Sequence, residues 1–159
     1  MNETIKHWLY ASAIIILIST LFIIYHVGQS PYHQEQKAAI AFAKKNTDLK
    51  TPEAFYLYTR NQKNWTVGGK DRKGHQIFAI IDPKTNQVTI LSQSSGITAN
   101  KAIHKVIQKY RPKQIHNVAL GLYHKRPVWE VTFRNKNSSI GYETIDFKTG
   151  KVISTINNL

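Results

Sequence analysis

Two aspartates at matching positions are the first residues of this sequence that could do chemistry. Asp82 opens the segment DPKTNQV and Asp146 opens DFKTGKV, and a pair of carboxylates is what acid–base hydrolysis would use. The same segments also fit a hairpin turn, in which Asp takes the first position and a residue with positive φ rejoins the strand. Asn86 and Gly150 suit that positive φ. We therefore interpret Asp82, Asn86, Asp146 and Gly150 as structural turn residues.

No other reactive group of residues is recognisable. The sequence has no cysteine, which excludes disulfides, thiolate catalysis and cysteine-bound metals. Its seven histidines lack metal-ligand spacing such as HExxH, and GxSxG, Ser-x-x-Lys and phosphate-binding glycine motifs are absent. Trp65 and Trp129 each open a predicted strand, and we expect them to be core residues. We predict no catalytic residue, no cofactor site and no metal site, and therefore a protein that is not an enzyme.

An internal repeat organises the chain. One constant shift aligns WTV at Trp65–Val67 with WEV at Trp129–Val131, and IDPKTNQV at Ile81–Val88 with IDFKTGKV at Ile145–Val152. No gap is needed between the two alignments. Self-similarity of this kind indicates a structural unit that occurs twice.

Each repeat predicts one helix followed by short strands. In the second repeat Thr98 can cap a helix whose apolar residues recur with helical spacing until Pro112. Beyond Pro112, apolar and polar residues alternate with the period of a strand. In the first repeat Ser30 and Pro31 give a start signal for a weaker helix that runs to about Lys45.

This order of elements predicts an α+β fold. Each helix should pack on a twisted antiparallel sheet of three or four strands. The first unit covers residues 30–91, a short connector covers residues 92–97, and the second unit covers residues 98–159. Because a unit of about 60 residues is marginally stable alone, we expect the two units to pack together.

An apolar segment precedes both repeats. Trp8–Val27 contains no Lys, Arg, Asp or Glu, and its length matches a hydrocarbon core of about 30 Å. The segment is longer than the apolar part of a signal peptide and lacks a small-x-small cleavage site. We predict an uncleaved transmembrane anchor at residues 8–27, after a cytoplasmic tail at residues 1–7. The flanking charges alone do not decide the orientation.

The chain carries a large positive charge. Its net charge is +13 and its pI is about 10.0, which favours contact with a polyanion such as nucleic acid, anionic lipid headgroups or an anionic wall polymer. The net charge alone does not indicate which of these polyanions is bound. Two basic clusters fall in predicted hairpin loops and are our candidate partner-binding residues: Lys70, Arg72 and Lys73 in the first unit, and Lys125 and Arg126 in the second.

The repeat also carries a family resemblance. A helix followed by strands that end in D-x-K-T-G-x-V resembles the PepSY module, and two such units behind one N-terminal anchor resemble the TseB-like (YpmB-like) proteins of Gram-positive bacteria. The resemblance covers nearly the whole chain. Asn86 stands where the turn would usually carry Gly, which indicates that the first unit is the more diverged copy.

The resemblance implies more than the residues do. It implies cystatin-like units and a single-pass cell-membrane protein whose C-terminal part lies outside the cell. It further implies a non-enzymatic adaptor that regulates peptidoglycan elongation through a penicillin-binding protein, and it supplies no catalytic residue. Two other readings stay open: a PepSY-type peptidase inhibitor at the cell surface, and a surface protein that binds polyanions or nucleic acid.

Overall fold

The structure is a computed structural model that describes residues 3–157. Before residue 31 it describes the side chains of residues 7, 8, 10 and 12–25. The elements within these residues are α1 (Glu3–Asn46), β1 (Leu49–Tyr58), β2 (Asn64–Asp71), β3 (Gln76–Ile81), β4 (Val88–Ser92), a 3-10 helix (Gln93–Ser95), α2 (Ala99–Tyr110), β5 (Gln114–Tyr123), β6 (Arg126–Arg134), β7 (Ile140–Asp146) and β8 (Val152–Ile156).

The chain divides into two compact bodies, Met1–Lys37 and Ala38–Leu159. The described residues of the first body, 3–37, belong to α1, and the predicted anchor at residues 8–27 lies within that helix. The side chains of residues 26 and 27 fall outside the described part. Among the residues that the structure describes, no helix has both the length and the apolar character needed to cross a membrane. The anchor is therefore not confirmed and stays a prediction.

The predicted start of the first helix was wrong. We expected a helix to begin at Ser30 and Pro31, whereas α1 is continuous and carries Pro31 in its interior. Proline removes one backbone hydrogen bond from a helix. Good helix formers (Gln, Glu, Lys and Ala) begin three residues after Pro31, and α1 continues through the proline.

The second body contains two antiparallel meanders of four strands. One sheet has the order β1-β2-β3-β4 and the other has the order β5-β6-β7-β8. The pairing repeats as the sequence does, because Trp65 lies opposite Ile81 and Trp129 lies opposite Ile145. The fold is therefore mixed α and β with two antiparallel sheets, as the repeat predicts.

Each sheet packs against one helix. In the first unit, Ala39 and Ala43 are one turn apart on α1, fully buried, and in one apolar cluster with Val67, Ala79 and Ile81. The small alanine side chains let the helix approach the sheet closely. The larger cluster of the second unit contains Ala102 and Val106 of α2 with Leu120, Trp129 and Val131 of its sheet.

Helix α2 begins and ends where local chemistry requires. The Thr98 hydroxyl accepts a hydrogen bond from the backbone N–H of Lys101 at 3.2 Å, which caps the first turn. At the other end Arg111 has a left-handed backbone with φ of 46°, and its N–H donates to the Ile107 carbonyl at 3.0 Å. Pro112 follows and cannot continue the helix.

The two units share one apolar core. Phe78 and Ile80 of β3 belong to the same cluster as Trp129 of β6. The rings of Tyr56 and Phe78 meet Trp129 edge to face, with centroid distances of 5.2 and 5.8 Å. Trp129 is fully buried, as expected, whereas Trp65 is half-buried beside the smaller cluster. One core for two units agrees with the expectation that they pack together.

Close contacts between β1, β2 and β5 complete this joint. Tyr58 is fully buried against Gly121, where an added Cβ would lie 2.3 Å from the Tyr58 Cγ atom. The Thr66 hydroxyl donates to the Leu120 carbonyl at 2.6 Å. Gly121 is therefore required by close approach and not by its backbone angles.

Arg60 crosses the joint from the loop between β1 and β2. Its guanidinium is 3.3 Å from the Glu130 carboxylate and donates hydrogen bonds to Thr144 and, at 3.1 Å, to Ser154. It also lies over the Tyr123 ring, 5.2 Å from the centroid. A side chain of the first unit thus contacts β6, β7 and β8 of the second.

Candidate functional site

The first aspartate turn uses its carboxylate internally. Asp82 Oδ1 accepts hydrogen bonds from the backbone N–H groups of Lys84 at 2.8 Å and Thr85 at 3.3 Å. These bonds lower the pKa of the Asp82 carboxyl, the largest effect coming from Lys84. Asn86 has φ of 59° and rejoins the strand.

The second aspartate turn is built in the same way. Asp146 Oδ1 accepts from the backbone N–H and the hydroxyl of Thr149, at 2.6 and 2.7 Å, and Gly150 has φ of 69°. Burial raises the pKa of Asp146, but the Thr149 hydrogen bonds and the nearby Arg126 outweigh it, so the pKa lies below its ordinary value. Both carboxylates therefore stabilise turns in the charged form.

A buried carboxylate of β7 is also held by the fold. Glu143 is 1% exposed and accepts hydrogen bonds from Lys109 at 2.9 Å, and from the hydroxyls of Tyr110 and Thr155 at 2.7 Å each. It fastens α2 and β8 to β7. Among the described residues, no three His, Cys, Asp or Glu side chains lie close enough together to hold a metal ion.

The two predicted basic clusters do not form one patch. Lys70, Arg72 and Lys73 lie where β2 ends and the hairpin to β3 begins, while Lys125 and Arg126 lie in the hairpin between β5 and β6. The end of β5, just before this second hairpin, lies beside the beginning of β2. The Leu122 N–H of β5 donates a 2.8 Å hydrogen bond to the side chain of Asn64, the first residue of β2. The length of β2, about 23 Å, separates its two ends.

Acidic neighbours partly neutralise the first cluster. Lys70 lies 3.8 Å from Glu53, and Arg72 lies 3.8 Å from Asp48. Arg72 also lines a shallow concavity with Lys44 and Lys50. These side chains are solvated, and exposed pairs of this kind contribute little binding specificity or stability.

The second cluster begins in a strained turn. His124 and Lys125 both have positive φ, 49° and 64°, as in the two-residue turn that normally prefers Asn-Gly. The turn brings the Arg126 Nε atom to within 4.0 Å of Asp146 Oδ2. Arg126 therefore lies beside the second aspartate turn, which carries Lys148.

A cavity of about 210 Å³ lies between the two units at this point. We call it the joint pocket. Leu91 and Ser95 come from the first unit and the connector, and Pro127 and Phe147 come from the second. The remaining lining residues are polar or charged and surround the apolar ones: Arg126, Asp146 and Lys148.

A second cavity, of about 250 Å³, lies at the first turn of α2. Tyr56, Phe78 and Trp129 form its aromatic wall, and Gln93 and Ile97 of the connector lie opposite. The Trp129 indole N–H donates to the Ile97 carbonyl at 2.8 Å, which fixes this wall. Burial raises the pKa of the Tyr56 hydroxyl.

The sequence alone did not reveal Lys148 and Lys105 as candidate site residues. Lys148 belongs to a segment that we interpreted as a turn, and Lys105 belongs to α2. An added Cβ at Gly150 would lie 3.4 Å from Lys105 Cε, so the helix and the turn are in contact. The sequence feature that could have indicated these residues is the pair Lys101 and Lys105. They are two like charges one turn apart in a helix without Asp or Glu.

The fold and the repeat define the chain as a mixed α and β protein that contains a PepSY domain. Residues 96–156 match the family model described as peptidase propeptide and YPEB domain, PepSY. Residues 38–82 match the model of the cell wall elongation regulator TseB-like domain. These two matches confirm the resemblance of the chain to the TseB-like (YpmB-like) family.

Two relatives extend these matches over most of the chain. The chain is 29% identical over 151 residues to the probable cell wall elongation regulator TseB of Bacillus subtilis (strain 168), covering 89% of this chain and 91% of the relative. The solved structure of the YpmB protein from Bacillus subtilis matches with a TM-score of 0.66 and 27% identity, over 76% of this chain and 95% of that chain. Both repeats therefore lie within regions of shared sequence and fold.

Proposed function

We propose that this protein is a non-enzymatic, membrane-anchored regulator of cell wall elongation. Its second body lies outside the cell and binds a penicillin-binding protein or another protein of wall elongation. One observation carries this proposal: the similarity to a probable cell wall elongation regulator spans both units of the chain. Regulation by contact requires a surface, and the joint between the units supplies one.

The chemistry of the buried groups supports binding rather than reaction. Glu130 is paired with Arg60, and Glu143 with Lys109, Tyr110 and Thr155. These carboxylates hold elements together. The two cavities at the joint combine apolar or aromatic walls with a few polar groups, which is the composition of a binding site.

The N-terminal segment supports the membrane anchor in this proposal. Trp8–Val27 has no charged side chain, and its large apolar side chains from Ile14 to Ile24 are 57–65% exposed. Exposed isoleucine, leucine and phenylalanine side chains at this density, interrupted only by Ser19 and Thr20 between residues 14 and 24, are stable in lipid and unfavourable in water. The proposal assigns these side chains to the hydrocarbon core.

A cysteine-free chain allows a direct test of the orientation. Single cysteines are introduced as Lys136→Cys, an exposed site in the second body, and as Asn2→Cys, and intact cells are treated with a membrane-impermeant maleimide. We expect labelling of the Lys136→Cys chain in intact cells and of the Asn2→Cys chain only after lysis. The reverse pattern, or equal labelling of both, would refute the proposed topology.

Deletion and complementation test the function. We expect a clean deletion to change cell width or length and the incorporation of fluorescent D-amino acids into the wall. The complete gene should restore both, and so should a chain whose residues 1–29 are replaced by an unrelated single-pass anchor. Unchanged morphology and wall labelling in the deletion strain would contradict the proposal.

A second candidate function is binding of anionic wall polymers or lipid headgroups. It is favoured by Lys101 and Lys105, which have no ion-pair partner within residues 3–157, and by the proximity of Lys105 to the turn that carries Lys148 and Lys151. With the full chain anchored in phosphatidylcholine vesicles, soluble polyphosphate should bind, and the double change Lys101→Glu/Lys105→Glu should weaken that binding. Equal binding of polyphosphate by the two chains would exclude this candidate.

A further inference from the structure

We propose that the joint pocket binds an acidic segment of a partner protein and buries one large apolar side chain of that segment. This inference rests on the proposed function, because it specifies how a regulator that acts by contact recognises its partner. It names a surface and a peptide chemistry that the family resemblance does not supply.

The pocket has room for one apolar side chain. Its volume is about 210 Å³, and an apolar cavity of about 150 Å³ is known to hold a benzene molecule. Leu91, Pro127 and Phe147 provide the apolar lining, while Ser95 lies at the exposed side. A ring or a branched aliphatic group would therefore be removed from water here, as at the centre of many protein interfaces.

The rim of the pocket is positively charged. The Arg126 side chain is 63% exposed, and its Nε atom lies 4.0 Å from Asp146, the acidic residue of the rim. Asp146 is already engaged by Thr149 through its other carboxylate oxygen. Lys148 is exposed and has no ion-pair partner among the described residues. The excess positive charge is complementary to carboxylates that flank a buried side chain.

The nearby lysines reinforce this charge. Lys105 of α2 contacts the turn at Gly150, and Lys151 follows it. An acidic segment leaving the pocket toward α2 would therefore pass more cationic side chains, which would raise its association rate at low salt.

A peptide segment fits these features better than other anions. A polymer of phosphates carries the charge but has no apolar group to occupy the lining. A fatty acid carries both, but its chain is much larger than a cavity that suits one benzene-sized group. Neighbouring acidic and large apolar side chains are a common combination in protein segments.

The first repeat offers a built-in comparison. Its turn has the same design and carries Lys84 where the second turn carries Lys148, but Pro83 and Gln62 replace Phe147 and Arg126. Lys84 is exposed and donates its backbone N–H to Asp82. Lys84→Glu therefore makes the same charge change in an equivalent turn, outside the joint pocket.

The test selects peptides from a random phage-displayed library on the full-length protein in detergent. We expect selected peptides that combine acidic residues with a Leu, Phe or Trp. Binding of a labelled selected peptide should weaken at least about tenfold for Arg126→Glu/Lys148→Glu and for the pocket-filling change Ser95→Tyr. Lys84→Glu should bind like the unmodified chain. Thermal unfolding shows whether each variant is folded.

Two results would overturn the inference. One is a set of selected peptides without an acidic and apolar bias, and the other is a biased peptide that Arg126→Glu/Lys148→Glu still binds normally. Complementation separates this failure from failure of the proposed function. If the Arg126→Glu/Lys148→Glu gene restores wall elongation as well as the complete gene does, the pocket is dispensable and the regulator remains; if deletion has no effect, the regulator itself is wrong.

Discussion

At the scale of single residues, Arg60 and Glu130 decide how tightly the two units are joined. Their side chains are 16% and 11% exposed, so the pair lies mostly out of water. Burial raises the pKa of the Glu130 carboxyl, and the charge and hydrogen bond of Arg60 oppose that effect without cancelling it. Glu130 therefore depends on Arg60 to carry a charge at this site.

Replacing Arg60 should destabilise the protein in a pH-dependent way. Arg60→Met leaves the Glu130 carboxylate unpaired, and we expect a loss of about 3 kcal/mol in the free energy of unfolding at neutral pH. The folded-state pKa of Glu130 is already raised, and loss of the guanidinium charge would raise it further. The contribution of Glu130 to stability is therefore fully present below the ordinary glutamate pKa, about 4.3. It is lost as the pH rises through the folded-state pKa of Glu130.

Urea unfolding at several pH values measures this effect. The loss caused by Arg60→Met should shrink as the pH falls toward 4.3, the approximate ordinary pKa of glutamate. The double change Arg60→Met/Glu130→Leu removes the unpaired charge and should recover most of the loss at neutral pH. A loss that is equal at every pH would show that the charge of Glu130 is not its cause.

Gly121 is the second residue on which the joint depends. Gly121→Ala places a Cβ where Tyr58 lies, and we expect it to destabilise the protein by about 2 kcal/mol. Tyr58→Gly removes the Cγ, Cδ1 and Cβ atoms, which are the three atoms nearest to the added Cβ, and therefore makes room for it. In a double-mutant cycle followed by thermal unfolding, Gly121→Ala should therefore cost less stability when the Tyr58 side chain has been removed. Strict additivity would contradict a steric contact.

At the scale of elements, the end of α2 carries a residue that does not suit its backbone. Arg111 has φ of 46°, a conformation that favours Gly or Asn at the end of a helix. Arg111→Gly should therefore raise the free energy of unfolding by about 0.5 kcal/mol. Arg111→Ala removes the same side chain but keeps the Cβ, so it should bring no gain. Equal unfolding midpoints for the two variants would contradict a backbone effect.

The same scale shows what the sequence could predict. The two aspartate turns, α2 and the alternating strands follow from local chemistry, because caps, turn residues and apolar spacing act within a few neighbours. The predicted start of the first helix at Pro31 was wrong because α1 continues through the proline despite one missing hydrogen bond, with good helix formers in Gln34–Ala39. Local rules do not state which of two competing preferences wins.

At the scale of the whole molecule, the repeat predicted two packed units but not how they join. Arg60 contacts Glu130 and Ser154, and Leu91 and Phe147 line the same cavity. The spacing of residues in the sequence does not predict either pairing. The basic residues show the same limit. Lys70 and Lys125 looked alike in the sequence, yet they lie near opposite ends of β2, and Lys148 joins Arg126 only through the fold.

The shared core predicts that both units unfold together. Phe78→Ala in the first unit should lower the free energy of unfolding by about 3 kcal/mol and should destabilise β6 as much as β3, because Phe78 packs on Trp129. Hydrogen–deuterium exchange in increasing urea checks this element by element. Separate unfolding midpoints for β3 and β6 would contradict one cooperative body.

The proposed regulation of wall elongation requires contact between this chain and an envelope protein. The most direct measurement is affinity capture of the full-length chain from cross-linked membranes, with residues 1–37 alone as the control, followed by mass spectrometry. The account predicts enrichment of a penicillin-binding protein or another wall-elongation protein with the full chain only. Capture without any envelope partner, or capture dominated by a secreted peptidase, would contradict it.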